Sequence, residues 1–146
     1  MKVKEIMKNV TKLSFNTTIA EAAGVMDQKA IGSILVEEKN KVIGMVTERD
    51  ILRKVVAKRL NTDRLTIKEI MNAPLITIDA ETNIMDASNI IATKNIRRLI
   101  LTEKDEIVGI VTASDIAKNL KFVIAKKVID ISSSGGHFRS DSENIY

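Results

Sequence analysis

GMVTERDIL (residues 44–52) and GIVTASDIA (residues 109–117) are two versions of one pattern. Each has a glycine, an apolar residue, Val-Thr, two variable residues and then Asp-Ile, and the second begins 65 positions after the first (109 − 44 = 65). A pattern that occurs twice in one short chain is either a repeated structural device or a repeated binding site. The surrounding sequence helps to decide between them.

The pattern lies inside a longer internal duplication. Residues 17–52 align with residues 82–117 without a gap, at a constant offset of 65. The lead-ins VKEIM (residues 3–7) and IKEIM (residues 67–71) match at an offset of 64, so the second copy has one extra residue near Pro74. Self-similarity over this length indicates a repeat architecture, and two copies favour a pseudo-twofold pair over a solenoid.

Each copy predicts the same order of elements, β-α-β-β-α. A short strand, 12–14 or 75–78, precedes a helix that begins at a capping signal, Thr18-x-x-Glu21 or its analogue Asn83-x-x-Asp86. A hairpin and a second helix follow. We predict that the second helix of copy one continues beyond Arg53 towards a break at residues 61–63, and that its counterpart ends near Val128.

The predicted fold class is therefore α+β, built from two repeats that are each too small to bury a core alone. We divide the chain into a first domain with its following linker helix (1–61) and a second domain (62–128). Residues 129–146 are rich in Ser and Gly, without periodicity, and we expect a flexible tail.

Composition narrows the class of protein. The 146 residues are 45% hydrophobic and 29% charged, with a net charge of +4, which is typical of globular proteins. The lack of cysteine excludes disulfides and thiol catalysis, and the single histidine lies in the tail, so we expect no metal site. No apolar run approaches the roughly 18 residues of a membrane helix, and no secretory signal is evident, so we expect a cytoplasmic protein.

The repeated Thr-x-x-Asp has a structural explanation. Thr47 and Thr112 stand at predicted strand-to-helix junctions, three residues before Asp50 and Asp115. This is the spacing of a capping box, in which the threonine accepts from the third helical amide and the acid accepts from the cap amide. Capping does not account for the glycine inside each preceding strand, which often marks a close approach by a ligand or another backbone.

The same geometry also suits a ligand. A helix N-terminus offers unpaired amides and the positive end of a dipole, which favour an anion. A threonine hydroxyl can donate to a phosphate or a ribose, and a carboxylate can accept from both vicinal hydroxyls of a ribose. The structural and functional interpretations are compatible. No repeated nucleophile–base pair or carboxylate dyad supports catalysis, so we expect no enzyme.

Several stretches resemble the cystathionine β-synthase (CBS) domain family: IM at the head of each copy, AIGSILV and NIRRLIL before the hairpins, and VIGMVTERDIL and IVGIVTASDIA after them. The resemblance covers residues 3 to about 120 as a tandem pair. It implies two domains packed sheet to sheet with pseudo-twofold symmetry, and clefts that bind AMP, ADP, ATP or S-adenosylmethionine. It also implies assembly into a homodimer.

The resemblance assigns ligand contacts by position. Asp50 and Asp115 would hold ribose hydroxyls, with adenine against the first strand of the other copy: residues 73–76 facing Asp50, and residues 9–12 facing Asp115. The basic phosphate contact falls on Arg97 and Arg98 in copy two, where copy one has Gly and Ser. The complete predicted set is Thr47, Arg49, Asp50, Ala73, Leu75, Ile76, Arg97, Arg98, Thr112, Ser114, Asp115, Asn9, Val10 and Lys12.

The two sites should therefore differ, with the Asp115 site better equipped for phosphate. The Asp50 site would borrow charge from Arg49, from Lys12 or across a dimer. Our leading hypothesis is a regulatory module that senses an adenine nucleotide and acts on a partner protein, with no other cofactor and no membrane contact. The alternatives are a nucleic-acid-binding accessory protein, which the few aromatic residues disfavour, and a dimeric scaffold with non-functional clefts.

Overall fold

Each repeat forms a three-stranded sheet with helices in the computed structural model of the chain, which describes residues 1–134. The predicted α+β class is confirmed. Copy one orders its strands β1-β2-β3 and copy two β4-β5-β6. The strands are β1 (Lys12–Ser14), β2 (Ser33–Glu38), β3 (Lys41–Thr47), β4 (Thr77–Asp79), β5 (Arg98–Glu103) and β6 (Glu106–Thr112).

The hairpin of each copy is antiparallel and carries one bulge, between Val36 and Glu37 in copy one and between Leu101 and Thr102 in copy two. Strand β1 runs parallel to β2, which requires a crossover, and the first helix supplies it. The helices are α1 (Ile19–Lys29), α2 (Glu48–Asp50), α3 (Ile67–Ile70), α4 (Ile84–Lys94) and α5 (Ala113–Ser134), with a 3₁₀ turn at Val3–Glu5.

The starts of α1 and α4 follow from their capping residues. Thr18 Oγ1 accepts from the amide of Glu21 at 3.2 Å, and the Glu21 carboxylate accepts from the amide of Thr18 at 3.2 Å, which confirms the predicted capping box. The predicted analogue at Asn83 forms a different cap. Its Oδ1 accepts from the amide of Met85, two residues on, at 2.8 Å, instead of from the amide three residues on. Both arrangements satisfy a helix amide that has no partner within the helix.

Three predicted bounds require correction. Strand β4 occupies residues 77–79 instead of 75–78. The second helix of copy one is α2 followed by a π-helix (Ile51–Val56), and it stops well before residue 61 because the chain turns through a left-handed conformation at Arg59 (φ 57°). Helix α5 runs past Val128 to Ser134, so the predicted tail begins as helix; the remainder of that tail, 135–146, lies outside the described residues.

The head segments of the two copies dock on each other's repeats. Within the described residues, one compact unit is Asn9–Thr77, and the other combines Met1–Lys8 with residues 78–134. These units differ from the domains 1–61 and 62–128 predicted from the sequence, because the lead-in of each copy completes the unit that holds the other copy's sheet. In this exchange of lead-ins between the copies, each lead-in forms backbone hydrogen bonds with the unit that it joins and is not a free linker.

The backbone bonds of the exchange are equivalent in the two units. Asn72 and Met45 exchange both amide–carbonyl bonds, at 2.8 and 3.0 Å, which adds the residue after the IKEIM lead-in to the edge of β3. Lys8 and Ile110 exchange the same pair of bonds, at 2.9 and 3.0 Å, at the edge of β6. An edge strand with unpaired groups is thereby covered in each unit.

Each unit has its own hydrophobic core, to which the exchanged head contributes. In the Asn9–Thr77 unit, Ile67 and Ile70 of α3 join Ile19, Ile34 and other buried residues of the same core. In the other unit, Val3 is fully buried among residues of α4, β5 and β6. Burial of such a side chain contributes about 1.5–3 kcal/mol, so these anchors are energetically significant.

The glycine of the repeated pattern provides space for the docked head. A Cβ on Gly44 would lie 2.6 Å from Met71 Sδ and 2.9 Å from the Asn72 carbonyl oxygen. A Cβ on Gly109 would lie 2.5 Å from Met7 Sδ, with its other near contacts also on that side chain. The close approach inferred from these glycines is therefore made by a methionine of the exchanged segment.

We predict that Gly44→Ala and Gly109→Ala each lower the free energy of unfolding by about 1–3 kcal/mol, because a methyl group has no room. Double-mutant cycles by urea denaturation with Met71→Ala and Met7→Ala separate the two contacts. The favourable coupling should be larger for the Gly109–Met7 pair, since at Gly44 a backbone carbonyl remains in the way. Equal stability of either glycine variant and the wild type would contradict this packing.

Candidate functional site

The repeated Thr-x-x-Asp of copy one forms a capping box at the start of α2. Asp50 Oδ2 accepts from the amide of Thr47 at 2.9 Å and from its hydroxyl at 3.0 Å, while Thr47 Oγ1 accepts from the amide of Asp50 at 3.2 Å. These bonds hold the carboxylate in one orientation. The Asp50 side chain is only 13% exposed, so solvent reaches only a small part of the carboxylate.

Copy two builds the same arrangement at the start of α5. Asp115 Oδ2 accepts from the Thr112 hydroxyl at 2.8 Å and from its amide at 3.4 Å, and Thr112 Oγ1 accepts from the amide of Asp115 at 3.1 Å. The structural interpretation of the repeated pattern is thus confirmed in both copies. In each copy the cap bonds use Oδ2, and the other carboxylate oxygen, Oδ1, takes no part in the cap.

Two further side chains meet the carboxylate in copy one. Asn72 Nδ2 donates to Asp50 Oδ2 at 2.7 Å, and Lys54 Nζ lies 3.4 Å from Asp50 Oδ1. Lys54 also donates to the carbonyl of Ile70 at 2.9 Å and to Asn72 Oδ1 at 3.1 Å. The Asp50 carboxylate therefore belongs to a network that includes both its own helix and the docked head segment.

In copy two the cation comes from the head segment. Lys8 Nζ lies 3.3 Å from Asp115 Oδ1, and Asn119 Nδ2 donates to the backbone carbonyl of Asp115 at 2.8 Å. Burial alone would raise the pKa of Asp115, but hydrogen bonds from Thr112 and Lys8 outweigh it and hold that pKa below the usual range for aspartate. The carboxylate is therefore ionised at neutral pH.

The two sites use the same two positions with the residue types exchanged. Lys8 and Asn72 both follow the lead-in methionine, at the head-segment offset of 64 (72 − 8 = 64), and Lys54 and Asn119 correspond at the offset of 65 (119 − 54 = 65). Our sequence analysis missed all four residues. Lys54 could have been found from its i+4 spacing to Asp50, and the other positions from continuing the alignment of the two lead-ins.

Arg97 precedes β5 and Arg98 is its first residue, and both lie beside the start of α5, in the same unit as Asp115. Arg98 is opposite Thr112 in the β5–β6 register, and the carbonyl of Arg97 accepts from the amide of Ala113 at 2.8 Å. The corresponding carbonyl in copy one is that of Gly32, which accepts from the amide of Glu48 at 3.0 Å. The backbone of two arginines is thus anchored beside the cap of copy two, where copy one has Gly32 and Ser33.

The other predicted contacts divide between the two units. Arg49 and Ser114 are exposed in the first helical turn after the caps. Ala73, Leu75 and Ile76 follow Asn72 directly and belong to the same unit as Asp50. Asn9, Val10 and Lys12 belong to the unit that does not contain Asp115, so their predicted role at that site stays a prediction.

A separate cavity of about 420 Å³ lies between the end of α1 and the start of α2. None of the predicted ligand contacts lines it. Its walls are Ala23, Met26, Asp27, Ala30, Ile31, Gly32, Glu48 and Ile51. Within residues 1–134, no group of three or more His, Cys, Asp or Glu side chains could hold a metal ion, and no helix is long and apolar enough to cross a bilayer.

The family profile of the CBS domain matches the chain twice, over residues 3–57 and 67–121. The chain belongs to the CBS domain family. The two matched segments are the two repeats, and each contains one complete Thr-x-x-Asp cap. CBS-pair proteins are regulatory modules.

Relatives of the same family share about a third of their residues with this CBS pair. The chain is 36% identical to the CBS domain-containing protein YhcV of Bacillus subtilis over 118 residues, covering 80% of this chain and 84% of YhcV. It is also 36% identical to the uncharacterised protein MK0525 of Methanopyrus kandleri, over 74% of this chain and 56% of that protein. The chain thus spans little more than half of MK0525.

Solved structures agree with the fold. The hexameric CBS-CP12 protein from bloom-forming cyanobacteria superposes with a TM-score of 0.76 at 29% identity, covering 84% of this chain and 73% of that one. A protein with CBS domains from Burkholderia ambifaria gives a TM-score of 0.74 at 23% identity, covering 82% of this chain and 93% of that one, and at that identity supports the fold alone.

We predict that Asp115→Asn lowers the free energy of unfolding by about 1 kcal/mol at neutral pH, because the cap loses its charged acceptor. A carboxyl whose pKa is depressed in the folded state stabilises fully above its unfolded pKa, and this contribution disappears as the pH falls through the folded pKa. The difference between variant and wild type should therefore shrink as the pH falls below about 4.

Urea denaturation at a series of pH values measures this difference. Asp63→Asn, at an exposed turn residue outside the helices, is the control for a change of net charge. A difference between wild type and Asp115→Asn that stays constant from neutral pH to about pH 2 would contradict the depressed pKa of Asp115.

Proposed function

We propose that this CBS pair is a cytoplasmic regulatory module that binds adenosine-containing nucleotides at the caps of α2 and α5. The supporting observation is that each carboxylate accepts two hydrogen bonds from its own threonine, both on Oδ2, while Oδ1 accepts none from the cap. A fixed carboxylate with one oxygen outside the cap bonds suits the two hydroxyls of a ribose. Thr47 and Thr112 would contact ribose or α-phosphate.

The cap of copy two is better equipped than the cap of copy one to bind phosphate. Arg97 and Arg98 lie at that cap, and a planar guanidinium can bind a phosphate with two parallel hydrogen bonds. Ser114, in the first turn of α5, would add a hydroxyl. At the Asp50 site Lys54 already contacts Ile70, Asn72 and Asp50, and one arginine, Arg49, and Lys12 remain, so we propose weaker phosphate binding there.

The adenine would lie against aliphatic and backbone groups of the first-strand segments. Ala73, Leu75 and Ile76 are the candidates for the Asp50 site, since Asn72 next to them already contacts that carboxylate. Aliphatic surroundings are consistent with a chain that has three phenylalanines, one tyrosine and no tryptophan.

Regulation follows if the ligand prefers one arrangement of the head segments. Both carboxylates contact a residue of an exchanged head, Asn72 or Lys8, so a ligand that takes over the carboxylate replaces that contact. A partner protein that reads the position of the head segments would then respond to nucleotide. We propose no catalytic role for any residue.

We predict that AMP, ADP, ATP or S-adenosylmethionine raises the melting temperature, and that the response falls mainly in Asp115→Ala and less in Asp50→Ala. A ligand at about 100 times its dissociation constant stabilises by roughly 2.7 kcal/mol, which is several degrees for a domain of this size. Thermal unfolding of protein freed from bound nucleotide by denaturation and refolding measures the shift, with GTP as the control for the base.

The rival functions give different results in the same experiment. A nucleic-acid-binding protein would respond to oligonucleotides with an affinity that falls steeply with salt, and both Asp→Ala variants would behave as wild type. A scaffold with non-functional clefts would show no shift with any nucleotide. Either pattern would overturn the proposed sensor.

We also propose that the chain forms a homodimer through the second half of α5. Phe122 and Ile129 are i, i+7 neighbours, and Ile124, Val128 and Ile131 follow i, i+4, i+7, so the five side chains share half of the helix surface. All are more than half exposed, Phe122 at 72%. At roughly 100 Å² each, two such faces reach the about 1,000 Å² that a specific interface needs.

The distribution of charge is consistent with a second copy on this face. Lys126 and Lys127 border the apolar half of the helix, and Asp130 lies on the opposite, polar side. Two copies packed through the apolar halves would therefore bury no charged side chain and would leave the lysines at the rim, as in other protein interfaces.

We predict that Phe122→Glu with Ile129→Glu converts a dimer to a monomer, because buried carboxylates would lack partners. Sedimentation equilibrium measures the mass, and Leu52→Glu, at a side chain of similar exposure (59%) in the other unit, is the control. A monomeric wild type, or a dimer that survives the double substitution, would contradict this interface.

A further inference from the structure

The carboxylates of the two caps differ in how many hydrogen bonds they already accept. Asp50 Oδ2 accepts from three donors: the amide and hydroxyl of Thr47 and the side-chain amide of Asn72. Asp115 Oδ2 accepts from two, both on Thr112. In each site Oδ1 has a lysine beyond 3.2 Å as its contact within the described residues.

This difference matters for a ligand with two adjacent hydroxyl donors. A carboxylate offers about four acceptor sites on its two oxygens, and the cap and Asn72 together use three at Asp50, whereas the cap uses two at Asp115. A diol that donates two hydrogen bonds therefore finds two free sites at Asp115 once the lysine contact is displaced. At Asp50 the same diol must also displace Asn72, whose bond of 2.7 Å is the shortest of the three on that oxygen.

We propose that Asn72 is an intramolecular competitor for the Asp50 carboxylate and determines that this site binds nucleotide more weakly than the Asp115 site. The proposal rests on the proposed nucleotide binding and adds a residue that sets the affinity difference. It places the cause on the carboxylate itself, separately from the arginines that favour phosphate at the other cap.

The position of Asn72 makes it an effective competitor. Its backbone is fixed to Met45 by two hydrogen bonds, so its side chain is presented to Asp50 at little entropic cost. Its Oδ1 meanwhile accepts from Lys54 at 3.1 Å, which ties the amide and the cation together. At the aligned position copy two has Lys8, a flexible and 69% exposed side chain that competes less for the carboxylate.

Lys54 keeps its position when the side chain of Asn72 is removed. It donates to the carbonyl of Ile70 at 2.9 Å independently of Asn72, so its charge stays near the carboxylate when the amide leaves. Removing the Asn72 side chain should therefore free an acceptor on Asp50 without removing the cation. The side chain also donates to the Met45 carbonyl at 3.5 Å, but the two backbone bonds with Met45 do not use it, so we expect the sheet-edge pairing to remain in the variant.

The test measures nucleotide affinity at the Asp50 site alone. Isothermal titration with AMP and with ATP compares Asp115→Ala with Asp115→Ala/Asn72→Ala, so that only one carboxylate can bind. We expect Asn72→Ala to tighten binding about tenfold, since the lost competitor is a hydrogen bond to a charged group. Asn61→Ala in the same background, at an exposed asparagine of the same unit, should leave the dissociation constant unchanged.

The outcomes separate the competitor from the proposed function. Binding that is unchanged or weaker in the Asn72→Ala background, while wild type binds nucleotide, would overturn the competitor and leave the sensor in place. Binding that appears only after Asn72→Ala would support the competitor strongly. An absence of binding in wild type and in every variant would overturn the proposed function and the competitor together.

Discussion

The backbone pairing of each head segment with the sheet edge of the other repeat is the interaction on which the rest of the structure depends. Met45 with Asn72, and Ile110 with Lys8, each exchange two amide–carbonyl bonds. This pairing carries the lead-in methionine over a glycine and brings the next residue to the cap carboxylate. A change that weakened it would therefore disturb an edge strand, a core and a candidate site at once.

The sequence predicted the repeated architecture and the caps, because both depend on local pattern. Helical spacing and the Thr-x-x-Asp motif determine the start of α2 and α5 within a few residues, without tertiary information. The exchange of head segments was not predictable in this way, because the VKEIM lead-in is short and gives no local sign of where it docks. The domains predicted as consecutive segments differ from the compact units for that reason.

Helix ends were the least predictable bounds. The second helix of copy one ends early because Arg59 adopts a left-handed conformation, which a non-glycine residue accepts only when the surrounding chain requires it. Helix α5 continues past Val128 through serines that bond back to carbonyls three residues earlier, as Ser132 does to Ile129 at 2.8 Å. A serine-rich composition had suggested a tail at this point.

The candidate sites illustrate how a duplicated scaffold can diverge without changing its frame. Both caps keep the same Thr–Asp geometry, yet the cation comes from the helix in copy one (Lys54) and from the head in copy two (Lys8). The charge balance around each carboxylate is similar, while the element that supplies it differs. The site residues missed by sequence reasoning are those whose partners lie far away along the chain.

The reciprocal docking of the heads has a consequence for the origin of the chain. A single repeat on its own would have a head with no sheet edge to join and an edge with no head, so it could complete its structure only with a second copy. Fusion of two repeats converts that bimolecular encounter into an intramolecular one, with an effective concentration that a short linker raises to about the millimolar range. Once the two copies are joined they no longer need to be identical, and each can evolve its own cap.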